Sequence, residues 1–334
     1  MKALVTGANG FAGSHLVRLL LTEGWNVLGI TNDIRLNPHL NTTLDNFTLE
    51  ELDICDRRRL VPLLREFAPE HVFHLAAVTL KDVSREAVEE LFRVNVLGTQ
   101  NLFFSILEAK LEPFVLVTGS SASYGSSHSA EDKPLTEESI LSPETIYGAS
   151  KLAQEMLAAS FGTSTGLKVV RTRAFNHTGP GEGSRMACSS FAKQIAECEL
   201  EKGTVIRVGN LNSYRDYCDV RDVVRAYLLV ATRSRAGEVF NVCSGNAVRM
   251  RAIVELLVSI SNKKIGVIED LSKFKPADVS YHRGDYLKIK NELGWEPRIS
   301  LETTLSDLLN YWRERLSVDG TNLGSRSTER RTLE

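Results

Sequence analysis

Short apolar runs alternate with longer amphipathic segments along most of this chain. Runs typical of buried strands lie at residues 2–6, 25–30, 49–52, 71–75, 113–118 and 167–173. Segments with a helical period lie at residues 57–67, 84–110, 146–162 and 301–316, and another helix carries Leu16, Leu19, Leu20 and Leu21. Strands that alternate with helices predict an α/β fold, a parallel doubly wound sheet with helices on both faces.

The length bounds the domain organisation. A chain of 334 residues exceeds the size at which one hydrophobic core stops growing. We expect residues 1–173 with about 218–245 to form a Rossmann-type sheet domain, and about 174–217 with 246–316 to form a smaller, mainly C-terminal α/β substrate lobe. Residues 317–334 are polar, lack apolar periodicity and are predicted to be a disordered tail.

Composition excludes several classes of protein. A hydrophobic content of 43%, a charged content of 25% and a net charge of −2 are those of a soluble globular protein and predict no nucleic-acid partner. The five cysteines lack CxxC spacing and histidine partners, so we expect neither a disulfide framework nor a metal site. No signal peptide or long apolar span is evident, which predicts cytoplasmic residence and no membrane association.

A glycine-rich turn follows the first apolar run. Gly7, Gly10 and Gly13 are spaced to allow a tight turn and the close approach of a pyrophosphate to the backbone, and a helix begins within the turn. Together with Thr6 and Phe11, these glycines predict a dinucleotide-binding site.

The end of the second strand bears on the choice of dinucleotide. Thr31 occupies the first position at which an NAD-preferring site usually has an acid, with Asn32 and Arg35 nearby. A neutral hydroxyl beside these residues tolerates a 2′-phosphate, whereas Asp33 could still serve NAD. The sequence therefore favours NADP(H), with NAD(H) as the alternative.

Further candidate cofactor contacts follow the next strands. Asp53 and Ile54 either hold the adenine or act as a turn residue and a core residue. The segment Leu75, Ala76 and Ala77 would let a cofactor lie against the backbone. Asn95, inside an apolar helical face, either bonds backbone or water near the reacting centre or is structural. His74 is interpreted as a strand histidine.

A tyrosine and a lysine, Tyr147 and Lys151, lie one helical turn apart, where residues i and i+4 are neighbours. A nearby ammonium favours phenolate, so the pair could transfer a proton. Tyr286 and Lys290 have the same spacing without catalytic neighbours. Ser120 and Ser121 lie at the carboxyl end of a predicted strand, where ligands meet parallel sheets.

Taken together, the glycine turn, Asn95, Ser120 and the Tyr147/Lys151 pair resemble the extended short-chain dehydrogenase/reductases, over about residues 1–316. The resemblance implies that Tyr147 is the proton donor or acceptor and that Ser120 hydrogen-bonds the reacting oxygen. It also implies that Lys151 lowers the pKa of Tyr147 and holds the nicotinamide ribose, and that the chain forms a homodimer through helices at 84–110 and 146–162.

The second half resembles one branch of that family, the GDP-mannose 4,6-dehydratases and GDP-4-keto-6-deoxymannose reductases. The motif at residues 176–181, Asn-His-Thr-Gly-Pro-Gly, carries this resemblance together with the segments at 191–195, 208–216 and 219–224. It implies a GDP-sugar ligand whose diphosphate needs amides and cations. Arg215 could instead pair with Asp216, and Lys275 replaces an arginine of the relatives. The candidate substrate contacts are Ser120, Ser121, Asn176, Lys193, Arg215, Lys275 and Asp278.

One position separates dehydration from reduction. By resemblance, dehydratases have Glu two residues after the Ser120 position, but this chain has Ala122, which cannot exchange a proton. Glu131, Asp132 or Glu137 could reach in from the following loop. The sequence favours NAD(P)H-dependent reduction of the C4 ketone of a GDP-4-keto-6-deoxy-hexose to a product such as GDP-D-rhamnose. A dehydratase, a nucleotide-sugar 4-epimerase and a non-catalytic dinucleotide sensor are the alternatives.

Overall fold

The computed structural model describes residues 1–34, 40, 45–79, 82–125, 133–201, 203–274 and 281–328. Its strands are β1 (Lys2–Thr6), β2 (Asn26–Thr31), β3 (Phe47–Glu51), β4 (His71–His74), β5 (Phe114–Ser120), β6 (Lys168–Ala174), β7 (Asn176–Thr178), β8 (Val205–Val208), β9 (Tyr214–Asp219), β10 (Val239–Val242), β11 (Ala247–Arg249), β12 (Gly266–Glu269) and β13 (Tyr281–His282). Its helices are α1 (Phe11–Thr22), α2 (Arg57–Phe67), α3 (Arg85–Phe92), α4 (Thr99–Ala109), α5 (Ile146–Thr165), α6 (Ala187–Glu199), α7 (Val220–Arg233), α8 (Met250–Ile260), α9 (Leu287–Leu293) and α10 (Leu301–Thr328).

Seven strands form one sheet in the order β10-β6-β5-β4-β1-β2-β3. All six neighbouring pairs are parallel. The chain first runs outward from β1 to β3 and then crosses back to β4, so the strand order reverses between β1 and β4. Open sheets of this kind bind ligands at the carboxyl ends of the strands beside such a reversal. The predicted doubly wound α/β fold is confirmed.

Both faces of this sheet are covered, because successive strand side chains point to opposite faces. Val5 and Phe73 pack with α1 and α7, whereas Leu4 and Val72 pack with α2 and α4. Near-continuous apolar strands are the expected consequence.

Helices α3 and α4 form one long helical segment, in which a π-helical turn at Arg93–Gly98 joins them. The Ser84 hydroxyl accepts a hydrogen bond from Ala87 N and so caps the segment at its start, and Lys110 ends it in the left-handed conformation. The predicted helix at 84–110 is confirmed, and the π turn within it carries Asn95.

The chain divides into two compact units. Unit 1 comprises Met1–His177, Asp216–Ala247 and Tyr281–Arg298, and unit 2 comprises Thr178–Arg215, Val248–Ser280 and Ile299–Glu334. The sequence-based prediction assigned residues 281–298 to the smaller lobe, whereas this division places them in unit 1. These residues belong to unit 1 because Trp295 Nε1 donates to Asp222 O at 3.0 Å and Arg298 N donates to the Asp222 carboxylate at 2.7 Å.

Unit 2 contains the parallel strand pair β8 and β12 and the helices α6, α8 and α10. Trp312 Nε1 donates to Ser189 Oγ at 2.9 Å, and Arg313 pairs with Glu199 at 2.7 Å, so α10 is anchored to α6. Helix α10 continues to Thr328, whereas a disordered tail was predicted from residue 317. A helix that has already formed can be extended without a new nucleation step, so polar residues can continue it. The composition of residues 317–334 does not show that a helix precedes them. Among the described helices, none is both long and apolar enough to cross a membrane.

Candidate functional site

The glycine turn lies between β1 and α1. A Cβ atom on Gly13 would come within 2.0 Å of the Gly7 carbonyl oxygen, so only glycine permits this approach of helix to turn. No side chain caps α1 at Gly10. The first N–H groups of a helix lack partners within the helix and attract anions. The turn therefore fits a pyrophosphate.

At the end of β2, Thr31 is buried and its hydroxyl participates in a local turn. Thr31 Oγ1 donates to Asp33 O at 3.0 Å and accepts from Asp33 N at 3.2 Å. Asn32 is exposed, and Arg35 lies outside the described residues. Position 31 therefore offers a neutral hydroxyl in place of the acid that an NAD-preferring site usually has, which is consistent with the preference for NADP(H).

The Asp53 carboxylate already has partners in the structure. Its oxygens accept from Cys55 N and from Arg93 Nη1, each at 2.9 Å. Burial raises the pKa of Asp53, but these hydrogen bonds and the Arg93 charge more than offset it, so the net pKa is lowered. Ile54 is buried in the core. The turn and core roles that were left open for both residues are therefore present.

Tyr147 stands in the first turn of α5. The Thr145 hydroxyl caps this helix by accepting from Gly148 N at 2.9 Å. A Cβ on Gly148 would come within 2.5 Å of Ala122 O, so glycine lets the helix approach the turn that follows β5. Ser120 ends β5, and an interaction with its side chain lowers the pKa of the Tyr147 phenol in part. The structure thus brings Ser120 and Tyr147 together, and Ser121, which follows Ser120, is buried.

Burial raises the pKa of Tyr147 above its usual value, and the hydrogen bond with Ser120 lowers it by less. The sequence predicted the opposite net direction, with Lys151 lowering this pKa. Burial has the larger effect because a charged phenolate would lose its contact with water, which favours the protonated phenol. Tyr147 therefore holds its proton at neutral pH, as an acid must.

Lys151 is buried on α5, with 2% of its surface exposed. Its ammonium donates to Thr118 O at 2.6 Å and to the Gln154 side-chain oxygen. Burial lowers the pKa of Lys151 to about 7, although the Glu155 carboxylate raises it in part. A small change in its surroundings would therefore change its charge near neutrality.

Asn95 braces the loop after β4 against α5. Its amide accepts from Val78 N at 2.8 Å and donates to Val78 O at 3.1 Å and to Ser150 Oγ at 3.0 Å. Leu75 and Ala76 are held beside β1, since Leu75 N donates to Thr6 O and Ala76 N to Thr6 Oγ1, both at 3.2 Å. Ala77 follows them and is exposed.

The candidate substrate contacts are divided between the units. Asn176 is exposed on β7 of unit 1. In unit 2, Lys193 pairs with Glu197 at 3.6 Å and its ammonium lies 5.7 Å from the centre of the Trp312 ring. Arg215 donates to Tyr214 O at 2.9 Å. Lys275 and Asp278 lie outside the described residues.

A buried ion pair beside the site was not predicted. Arg173 and Glu155 meet at 2.7 Å with 6% and 1% of their side chains exposed, and Arg173 also donates to Tyr124 Oη at 3.0 Å. Glu155 lies four residues after Lys151 on the same helix. An acidic residue on the helix face that carries Lys151 is a sequence signal that Glu155 needs a cationic partner, but it does not identify Arg173.

The second Tyr-x-x-x-Lys motif has a structural role. Tyr286 packs edge-on against Trp295, with ring centres 6.0 Å apart. Lys290 pairs with Glu296 at 2.7 Å on the surface. It therefore provides a matched control for Tyr147 and Lys151.

A sequence model of the family described as GDP-mannose 4,6 dehydratase matches residues 4–308. The GDP-6-deoxy-D-mannose reductase of Pseudomonas aeruginosa is 31% identical over 318 residues, which cover 94% of this chain and 98% of that protein. The solved structure of RMD from Pseudomonas aeruginosa complexed with NADPH has a TM-score of 0.82 and 30% identity, covering 94% of this chain and 99% of that one.

The UDP-glucose 4-epimerase of Thermotoga maritima, solved with UDP-glucose, has a TM-score of 0.85 and 28% identity, covering 95% of this chain and 100% of that one. These similarities extend over both units. The seven-stranded parallel sheet flanked by helices agrees with them. The chain belongs to the GDP-mannose 4,6-dehydratase family of the extended short-chain dehydrogenase/reductases.

Proposed function

We propose that this chain reduces the C4 ketone of a GDP-4-keto-6-deoxy-hexose to the alcohol, giving a product such as GDP-D-rhamnose. NADPH is the favoured reductant and NADH the alternative. The observation that carries the proposal is a half-buried Tyr147 that interacts with Ser120 and stays protonated because its pKa is raised, with Ala122 where a dehydratase has an acid. The similarity to a GDP-6-deoxy-D-mannose reductase supports it.

The residues that would hold the cofactor fit a dinucleotide. The uncapped start of α1 would hold the pyrophosphate, and Thr31 places no carboxylate where a 2′-phosphate would bind. Reduced nicotinamide supplies a hydride when it is bound. Lys151 would hold the adjoining ribose through its ammonium.

The protein then has one proton to deliver. Ser120 donates a hydrogen bond to the C4 oxygen and orients it, and Tyr147 donates its phenolic proton to that oxygen as negative charge develops. Lys151 stabilises the resulting phenolate electrostatically. Hydride on carbon and proton on oxygen together complete the alcohol.

Elimination of water would need a further acid and base. Ala122 supplies neither, and Glu137, one of the acids considered above, accepts a hydrogen bond from Asn241 N at 2.6 Å on β10. Glu131 and Asp132 lie outside the described residues. Because Glu137 is already hydrogen-bonded to β10 and Ala122 is apolar, reduction is favoured over dehydration.

The test is a paired assay of purified protein. With the 4-keto-6-deoxy sugar nucleotide, NADPH absorbance should fall and the alcohol should accumulate, whereas GDP-mannose alone should be unchanged. Tyr147→Phe should lose about 10²–10⁴-fold in kcat, and Tyr286→Phe should retain activity. Dehydration of GDP-mannose without oxidation of added NADPH would refute the proposal in favour of a dehydratase. Interconversion of nucleotide hexoses with retained NAD would identify an epimerase.

The proposal includes a homodimer. Leu97 and Phe104, seven residues apart on the α3–α4 segment, and Met156 on α5 expose 54%, 41% and 53% of their surfaces. Phe104 packs edge-on against Phe161 of α5, with ring centres 5.1 Å apart, so the two helices are neighbours. Exposed apolar side chains on adjacent helices are typical of a protein interface.

A further inference from the structure

A chain of buried hydrogen bonds leads from β1 to Lys151. Thr6 Oγ1 meets His74 Nδ1 at 2.7 Å, and His74 Nε2 meets Thr99 Oγ1 at 2.7 Å. Gln154 Nε2 donates to the same Thr99 oxygen at 2.9 Å, and Gln154 Oε1 accepts from Lys151. His74, Thr99 and Gln154 are fully buried. None of these three belongs to the Tyr-x-x-x-Lys motif.

The hydroxyl hydrogen of Thr99 determines the direction of the whole chain. Thr99 donates this one hydrogen to Asn95 O at 2.7 Å, so its oxygen can only accept from His74 and Gln154. His74 therefore carries its proton on Nε2 and accepts from Thr6 at Nδ1. Burial and the Lys151 charge lower the pKa of His74 to about 3, so it stays neutral.

The same hydrogen fixes the Gln154 amide. Its NH₂ group must face the Thr99 acceptor, which leaves its carbonyl oxygen facing Lys151. A flipped amide would place NH₂ against the ammonium and lose both hydrogen bonds. An ammonium has three hydrogens, and Thr118 O and Gln154 Oε1 accept two of them. No acceptor for the third is given by the described residues, which leaves it for a bound molecule.

We infer that Gln154 is a positioning residue, oriented by Thr99 and His74, which keeps the Lys151 ammonium charged and directed toward the reacting centre. This inference rests on the role proposed above for Lys151. The other titratable groups around Lys151 are Tyr147 and Glu155 on its own helix, His74 on β4, and Arg173 on β6, which is paired with Glu155.

Three variants test the inference. Gln154→Leu removes the acceptor, and Thr99→Val keeps the shape of Thr99 but frees the amide to rotate. Each should lower the pKa of Lys151 by about one unit, because a hydrogen bond to the charged form is lost. Gln154→Glu should raise that pKa, since a carboxylate replaces the carbonyl.

Thr163→Val is the matched control. Thr163 also bonds the carbonyl four residues before it on a helix, Ala159 O at 3.1 Å, but it is exposed. The pKa of Lys151 is measured in the protein without added ligand, by NMR of ε-¹³C-lysine, with Lys151→Met assigning the signal. The alkaline limb of kcat should move with this pKa in each variant.

Opposite shifts for Gln154→Glu and Gln154→Leu are the expected result, with Thr163→Val unchanged. Folded Gln154→Leu and Thr99→Val proteins whose Lys151 titrates as in Thr163→Val would overturn the inference. A variant that does not fold leaves Gln154→Glu as the test. The lysine titration needs no substrate, so it gives its answer even if the wild-type chain fails to reduce the 4-keto sugar.

Discussion

At the scale of single residues, protonation states determine what Tyr147 and Lys151 can do. Burial raises the pKa of Tyr147 and lowers that of Lys151 to about 7. Both groups are therefore protonated on the acidic side of neutrality. A proton donor beside a cation suits delivery of a proton to a ketone oxygen.

This pair predicts the pH dependence of reduction. Lys151 has its folded pKa depressed, so it is charged below about pH 7 and loses its proton above that value. We expect kcat to be level below pH 7 and to fall as the ammonium deprotonates. Steady-state rates at saturating substrate, across neutral and alkaline pH, provide the measurement. A kcat that rises through neutrality would contradict this assignment of charges.

The buried pair Glu155 and Arg173 predicts an effect on stability. Glu155→Gln leaves the Arg173 charge buried without its partner and should lower the free energy of unfolding by about 3–5 kcal/mol. Glu89→Gln is the control, since Glu89 and Arg85 pair at 2.7 Å with 62% and 84% of their side chains exposed. Loss of that pair should change stability by less than about 1 kcal/mol. Equal effects in chemical denaturation would show that burial of the Arg173 pair is unimportant.

At the scale of elements, the position of α5 against the turn after β5 sets the Ser120–Tyr147 contact. Gly148→Ala would place a Cβ within 2.5 Å of Ala122 O, so helix or turn must move. Displacement by about 1 Å can reduce a rate about 100-fold, and we expect a loss of this order in kcat.

The control is Gly162→Ala on the same helix, where the added Cβ would lie at an ordinary 3.4 Å from Leu167 O. Its kcat should equal that of the wild type. If Gly148→Ala is also fully active, the close approach of α5 to the turn is not what aligns Ser120 with Tyr147.

Elements with a strong period were the easiest to predict from sequence. Strand β1 and helix α2 have the predicted bounds, and the predicted segment at 84–110 is helical from Arg85 to Ala109. The local sequence pattern does not show which residues, distant along the chain, will contact each other. The return of residues 281–298 to unit 1 depends on Asp222, and the Arg173–Glu155 pair joins β6 to α5.

Only part of the candidate site could be predicted, again because a local pattern does not show which distant residues become partners. Ser120, Tyr147 and Lys151 stand at positions that spacing and strand ends define. The direction of the Tyr147 pKa shift required the degree of burial, which spacing does not give. Gln154 was missed because its importance comes from Thr99, 55 residues away.

At the scale of the whole molecule, the exposed apolar side chains on the α3–α4 segment and on α5 predict self-association. The wild-type chain should have the mass of two chains in solution, and Leu97→Asp combined with Met156→Lys should have the mass of one. Leu271→Asp is the control, because Leu271 exposes 76% of its surface in unit 2. Light scattering after size-exclusion chromatography measures these masses. A wild type that runs as one chain would refute the dimer.

The fate of one hydride tests the proposed function most directly. NADPH deuterated at the transferred position should place one deuterium on C4 of the sugar when it is incubated with the 4-keto-6-deoxy sugar nucleotide and this protein. NMR or mass spectrometry of the product locates the label. Deuterium at C4 in the wild type, with incorporation lost in Tyr147→Phe and retained in Tyr286→Phe, is the predicted result. Unlabelled product, or GDP-mannose converted without consumption of NADPH, would contradict it.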